Sequence, residues 1–288
     1  MNNKKRISIL LMGGLGNQIF QLVKAQQLKE LGYEVSIDTS NFKEFEKNKN
    51  QLFIHRKQVF PISYFGFNET SFLEKNLYSL FTTLGKYHLL PGPLNIVNEI
   101  NDYSQLESKF LLINKAIGYW QDVELLRKYK DFIISSMKND EVLANAFNRQ
   151  LVVPGKTALH VRRGDYLNIN EQLSERFYLD SISYCENNIT DFSYEVFTDD
   201  YEFVSKSKVF ATASKIHKSD GSNKSTLKDF SLMLDKENFI IGNSTFSLLA
   251  AILSETASSK ILFAEPWYKN KNKNLNLDKN WIGIQNLF

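Results

Sequence analysis

The sequence predicts an α/β protein made of two parallel-sheet lobes in tandem, and three observations carry that expectation. A β-α-β pattern with a glycine-rich turn opens the chain. Strand-like apolar runs then alternate with helix-length stretches through the second half. Charged and hydroxyl-bearing clusters sit where those runs end, the edge at which open parallel sheets bind ligands.

Ile7 to Met12 reads as the first buried strand, Gly13-Gly14-Leu15-Gly16-Asn17-Gln18 as a turn into a helix reaching about Leu31, and Val35 to Asp38 as the second strand. Glycines at such a turn let backbone amides approach a ligand where the helix dipole favours anions, and they serve a tight turn equally well. Gly14, Gly16, Asn17 and Gln18 are its candidate binding residues. Residues 40 to 110 scatter Phe42, Phe45, Phe53, Phe60, Tyr64, Phe65 and Phe67 without clear periodicity, as an acceptor-binding lobe or plain core would. Pro91-Gly92-Pro93 marks a loop.

Leu111 to Ile113 and Gly118 to Asp122 suggest a strand running into one helix from about Val123 to Asn148. At that junction Tyr119, Trp120 and Gln121 are candidates for contact with a sugar, with aromatic packing as the alternative. Val153-Pro154-Gly155-Lys156 punctuates the chain, so the lobes are expected at 1–153 and 154–288.

In the second lobe Thr157 to Val161 reads as a strand ending in Arg162-Arg163-Gly164-Asp165-Tyr166. A planar guanidinium grips two phosphate oxygens and stays charged at any working pH, so a diphosphate suits this post, although an Arg–Asp turn could equally staple the strand end. Continued strand geometry would send Arg162 and Arg163 to opposite faces, so that only one reaches a ligand. Further elements are expected at Glu175 to Asn187 (helix), Tyr194 to Thr198 (strand), Asp200 to Lys206 (helix), Val209 to Ala211 (strand), Ser225 to Asp235 (helix), Phe239 to Ile241 (strand), Phe246 to Leu253 (helix) and Ile261 to Phe263 (strand). The tail after Pro266 reads as polar and exposed, with Trp281, Ile282, Ile284 and Phe288 docking it back on the N-terminal lobe.

Composition excludes several classes. With 43% apolar and 23% charged residues the chain is an ordinary soluble globular protein. A net charge of +3 is too small for a nucleic-acid protein but tolerates an acidic substrate or weak attraction to anionic lipid. The single cysteine, Cys185, points to a reducing compartment. The basic start Lys4-Lys5-Arg6 leads into Gly-Gly-Leu-Gly in place of a cleavage site, and no run approaches the ~18 apolar residues of a membrane span, so a cytoplasmic protein at most peripheral to a membrane is expected.

Two further clusters complete the candidate site. Phe197-Thr198-Asp199-Asp200 places adjacent acids at a strand end, with the chemistry for a divalent cation or for accepting hydrogen bonds from a guanine base. Asn243-Ser244-Thr245-Phe246-Ser247 opens a helix, as an N-cap or as a phosphate contact. Asp229, on the preceding helix, reads as a ribose or base contact or, in preference, a surface charge.

Taken together, Gly14 to Gln18, His160 to Tyr166, Phe197 to Asp200 and Asn243 to Ser247 resemble the bacterial α-1,2-fucosyltransferases of glycosyltransferase family 11, over essentially the whole chain. Phe246-Ser247-Leu248-Leu249 departs from the family's usual aromatic pair after the serine and reads as a packing change.

The resemblance implies a GT-B-like fold, two Rossmann-like lobes facing a central cleft. It also implies an inverting transfer of L-fucose from GDP-β-L-fucose to the 2-hydroxyl of a terminal β-galactoside in a bacterial surface glycan, with no metal and no cofactor. By that resemblance Arg162 neutralises the β-phosphate, His160 and Asp199 or Asp200 contact guanine or ribose, Ser244, Thr245 and Ser247 contact phosphate, and Asn17 and Gln18 face the donor from the other lobe. Arg163 and Asn243 complete the donor set, and Asp165 is the candidate general base, with support of an arginine as its alternative role. An α-1,6-type or other GDP-sugar transferase, or a non-catalytic glycan-binding protein, are the competing expectations.

Overall fold

The computed structural model describes residues 6–42, 57–77, 80, 94–98, 113–149, 152–269 and 275–286. The chain forms two compact units, Met1–Gln121 and Asp122–Phe288, each described by itself.

The first unit carries β1 (Arg6–Leu10), α1 (Leu15–Glu30), β2 (Glu34–Asp38), β3 (Asn68–Glu69), β4 (Leu94–Asn98) and β5 (Ile113–Ile117). Its five strands run in the order β3-β2-β1-β5-β4, all parallel. Ile7 and Ile9 of β1 and Ile19, Phe20 and Val23 of α1 are sealed from water, so the opening β-α-β pattern forms where its apolar residues predict. The scattered aromatics Phe42, Phe60, Phe65 and Phe67 are buried and therefore packing residues, while Phe45, Phe53 and the Pro91-Gly92-Pro93 loop lie outside the described residues.

The second unit opens with three helices, α2 (Val123–Lys128), α3 (Lys130–Met137) and α4 (Glu141–Arg149), where one helix to about Asn148 is expected. It continues through β6 (Val153–Val161), α5 (Gly164–Asn168), α6 (Glu175–Asn188), β7 (Ser193–Thr198), α7 (Tyr201–Lys206), β8 (Lys215–Lys218), α8 (Asn223–Met233), β9 (Lys236–Gly242), α9 (Thr245–Ser254), β10 (Ile261–Glu265) and β11 (Ile282–Gln285). The division falls at Gln121/Asp122 and not at 153/154 because α2 to α4 belong with the second sheet. There α4 packs on α8 and α3 on α9, and Arg127 bonds Glu255 at 3.1 Å and Asp278 at 2.5 Å.

The tail likewise stays with the second unit: β11 pairs in parallel with β10, and the Trp281 indole N–H donates to Glu255 at 3.2 Å. The strand expected at Val209 to Ala211 is a single 3-10 turn over Lys208–Phe210 that sinks Phe210 against Tyr178. The edge strand comes later, at β8. Among the described residues no helix is long and apolar enough to cross a membrane.

The second sheet runs β11-β10-β9-β6-β7-β8, all parallel. Successive strands leave β6 toward β7 and β8 on one side and return through β9, β10 and β11 on the other. The chain direction therefore switches between β6 and β9, and the carboxyl ends of those two strands flank the crevice where such sheets take ligands. Along β6 the side chains alternate. Leu159 and Val161 join Phe177, Tyr178 and Val196 in the core, whereas His160 turns to the other face against Phe246, ring centroids 5.4 Å apart.

Candidate active site

Arg162 and Arg163 leave the end of β6 at this switch point and take separate carboxylates. The terminal nitrogens of Arg162 reach Asp165 Oδ1 at 2.5 Å and Asp199 Oδ2 at 2.6 Å. Arg163 turns away, its Nε donating to Asp200 at 3.1 Å and its guanidinium lying 3.6 Å from the Phe203 ring centroid. Burial opposes the charge of Arg162, but Asp199 and Asp165 outweigh it and hold the pKa above its ordinary value. Arg162 is thus the cation aimed at the crevice, and Arg163 braces the end of β7.

Asp199 accepts from the backbone N–H groups of Arg163 and Gly164 with its second oxygen, at 2.9 and 3.2 Å. Asp200 also accepts from Phe203 N–H at 3.1 Å and so caps α7. Both acids are thus engaged by the arginines and by backbone N–H groups, with their side chains 23% and 26% exposed.

The second wall of the crevice is the β9–α9 turn. Gly242, at φ +61°, permits it, and a Cβ there would lie 2.8 Å from Leu173 Cδ1. Tyr166 ties the arginine loop to this turn by donating to the Asn243 carbonyl at 3.0 Å. Asn243 itself is buried, its amide donating to the Glu171 carbonyl at 2.9 Å and its side-chain oxygen without a partner among the described residues.

Ser244 and Thr245 stand at the start of α9, where helix amides and dipole favour an anion. Ser222 caps α8 with its hydroxyl, whereas Ser244 makes no side-chain cap bond to α9. Ser247 is different. It is fully buried and donates to the carbonyls of Ile241 and Ser244 at 2.8 and 3.1 Å, so it stitches the turn and does not reach a donor.

His160 lies beneath the arginines. Burial pushes its pKa down to about 4 against the pull of Asp199, so the imidazole is neutral, and its Nδ1 has no partner among the described residues. Its ring lies tilted by 40° against Phe246, which Phe230 meets edge-on at 5.5 Å.

Next to Phe230 is Asp229, which the structure buries to 8% exposure, so it is not the surface charge expected from the sequence. Among the described residues nothing hydrogen-bonds its carboxyl. Burial, reinforced by Asp220, drives its pKa up to about 6 against the opposing charge of Lys228. The sequence offers it as a ribose or base contact as well as a surface charge, and one aspartate on a helix carries no pattern that decides between them.

In the first unit the structure joins two sets that the sequence separates. Gly13 has φ +80°, and a Cβ there would meet Asn17 Nδ2 at 2.9 Å and Tyr119 Cε1 at 3.1 Å. The glycine the geometry requires is therefore Gly13. Gly14 precedes α1 with φ −81°, and Gly16 is buried within that helix. Asn17 accepts from Gln121 at 2.9 Å, which brings Asn17, Tyr119 and Gln121 together at the carboxyl ends of β1 and β5.

Gln18 is buried, donating to the Gly13 and Lys57 carbonyls at 2.9 Å each and accepting from Val59 N–H at 3.0 Å, so it holds the turn instead of facing a donor. Gln21, unmarked in the sequence, clamps the same turn, accepting from Met12 N–H and donating to the Gly118 carbonyl, both at 2.9 Å. Trp120 is 7% exposed at φ +45°, a rare backbone state for a bulky residue, and its buried indole offers no face to a sugar.

Two parallel α/β sheets, the second with a carboxylate-braced arginine and a helix start at its switch point, define an α/β protein with a candidate site at the carboxyl ends of β6 and β9. The chain belongs to Glycosyl transferase family 11, whose sequence profile matches residues 6–285, and it is a glycosyltransferase. It is similar to the alpha-1,2-colitosyltransferase of Escherichia coli, 26% identical over 280 residues that cover 92% of this chain and 93% of the relative. It is equally similar to the O-antigen biosynthesis glycosyltransferase WbnK of Escherichia coli, 26% identical over 306 residues, 95% of this chain and 99% of that one. A solved structure of an Arabidopsis thaliana FUT1 mutant in complex with GDP aligns at a TM-score of 0.47 and 13% identity, covering 91% of this chain and 70% of that one.

Proposed function

We propose that this chain transfers L-fucose from GDP-β-L-fucose, with inversion, to the 2-hydroxyl of a terminal β-galactoside in a bacterial O-antigen-type glycan. The observation that carries the reading is Arg162, held by Asp165 and Asp199 at the switch point and linked through Tyr166 to the turn that starts α9. As the bond to fucose C1 breaks, the acceptor oxygen approaches from the opposite side and the leaving diphosphate gains negative charge. A preorganised guanidinium and helix start stabilise that charge more in the transition state than in the ground state. Ser244 and Thr245 supply hydroxyl and amide donors to the same oxygens. With Asp199 and Asp200 committed to arginines, Asp229 is the carboxylate left to accept from the guanine N–H groups.

The engagement of the Asp199-Asp200 pair by Arg162 and Arg163 supports transfer without a metal ion or other cofactor. The acceptor is a lipid-linked or oligosaccharide glycan met at the inner face of the cytoplasmic membrane. Support for the glycan class comes from the WbnK relative, named for O-antigen biosynthesis. A second donor reading, a colitosyl unit, is favoured by the 26% identical alpha-1,2-colitosyltransferase.

The test is GDP release from GDP-fucose by the purified chain, with lactose or N-acetyllactosamine as acceptor, with and without EDTA. Acceptor-dependent release that survives chelation is expected, followed by NMR assignment of an α-1,2 linkage. Release abolished by EDTA would refute the metal-free reading. GDP binding with release only from GDP-colitose would move the donor to the second reading.

A further inference from the structure

The donor-site reading needs Arg162 and the start of α9 to grip one diphosphate together, and the inference drawn here rests on that reading. The two come from different strand ends. The paired register of β6 and β9 stops at Leu159 and Ile240, three residues short of Arg162 and four short of Ser244. Beyond that point a separate device must hold the two walls of the crevice at a fixed spacing.

Three hydrogen bonds do so, and they close on themselves. The Tyr166 hydroxyl donates to the Asn243 carbonyl at 3.0 Å, and the Asn243 side-chain amide donates to the Glu171 carbonyl at 2.9 Å. The Glu171 backbone N–H then donates to the Tyr166 carbonyl at 2.9 Å. Each residue gives one bond and takes one, so breaking any of them opens the ring. Asn243 is 1% exposed, which fits a member of this ring better than a direct donor contact.

Tyr166 joins the ring to the cation, with the Arg162 guanidinium 5.7 Å from its ring centroid. Burial raises the pKa of its hydroxyl against the pull of Arg162, so it stays a donor at any working pH. On the other side the Glu171 carboxylate accepts from the Lys269 backbone N–H at 3.1 Å, which fastens the ring to the chain leaving β10.

We propose that the Tyr166, Asn243 and Glu171 ring sets the distance between the Arg162 guanidinium and the start of α9, so that both meet the leaving diphosphate of a GDP-sugar at once. All three are positioning residues, acting through Arg162 and the α9 amides. A site whose halves are held before the donor arrives has little reorganisation left to make as charge develops on the diphosphate. Loss of the ring therefore weighs more on the transition state than on the ground state.

The experiment compares the full chain with Tyr166→Phe, Asn243→Ala and the double variant. GDP binding is read by calorimetry, and transfer from GDP-fucose to lactose by GDP release. Tyr166→Phe removes only the hydroxyl and leaves the aromatic ring beside Arg162. Asn243→Asp, which swaps the amide donor for an acceptor of the same shape, covers the case in which the alanine variant does not fold. Each single variant lowers kcat about tenfold, the worth of one hydrogen bond, and weakens GDP binding by less. Because one break opens the whole ring, the double variant loses about as much as either single one. A folded Tyr166→Phe chain with the parent's kcat and GDP affinity overturns the proposal. Losses that multiply in the double variant also overturn it, since independent structural contacts add in free energy. The GDP affinities carry the same non-additivity whichever GDP-linked sugar is the donor. A parent that binds no GDP refutes the donor-site reading itself, a result distinct from failure of the ring.

Discussion

Asp229→Asn converts a buried, unpartnered carboxyl into a neutral amide of the same shape, and its effect on stability has a definite sign. The folded-state pKa of about 6 stands about two units above the ordinary 3.8. Between those values the folded chain holds the proton more tightly than the unfolded chain. The group's contribution is therefore fully favourable below about pH 4 and is lost as pH rises through 6. At about 1.4 kcal/mol per unit the ceiling is on the order of 3 kcal/mol. Solvent screening reduces it, leaving about 1–2 kcal/mol.

The variant should be more stable than the parent by that amount at pH 8 and equal to it at pH 4, measured by urea unfolding with fluorescence detection. Its affinity for GDP should fall, because the amide presents only one acceptor where guanine offers two N–H groups. An equal change in stability at both pH values, or a loss at pH 8, would refute the account of Asp229 as an uncompensated buried charge.

Arg162→Ala should lose transfer by ~10²–10³ or more, with an unchanged circular dichroism spectrum, since the lost group acts on charge that develops in the transition state. Arg162→Lys should restore little, because an ammonium cannot span Asp199 and a phosphate at once. Ser247→Ala should cost about 1–2 kcal/mol of stability by thermal unfolding, through loss of the bonds to Ile241 and Ser244, and leave the donor KM within about twofold of the parent. Ser244→Ala should show the reverse pattern, a raised donor KM with little change in stability.

Much of this architecture was legible in the sequence because buried parallel strands are continuous apolar runs. β1, β6, β9 and β10 announce themselves that way. Edge strands do not. β8 reads Lys-Ile-His-Lys and β11 Ile-Gly-Ile-Gln, so the more apolar Val209-Phe210-Ala211 attracted the strand assignment that belonged to β8. The breaks dividing α2, α3 and α4 fall at Tyr129 and at residues 138–140, with no proline or glycine to mark them.

At the site, the arginine strand end and the start of α9 were readable because residue type and position point the same way. The pairings were not. Asp199 meets Arg162 across the β6–β7 register, and Ser247, Gln18 and Trp120 turn inward for packing reasons that residue type alone does not disclose.

The Arg127 ion pairs also bear on how the chain comes off the ribosome. Glu255 and Asp278 are synthesised 128 and 151 residues after the arginine that binds them, whereas the first sheet is complete once β5 has emerged. Units that fold during synthesis do so from the N-terminus. The first unit can settle early, but α2 must wait through the translation of nearly the whole second sheet before its cation is matched. Arrest after α2 has emerged but before residue 278 would thus yield a folded first unit followed by a charged, unfinished helix, a natural substrate for chaperone or protease.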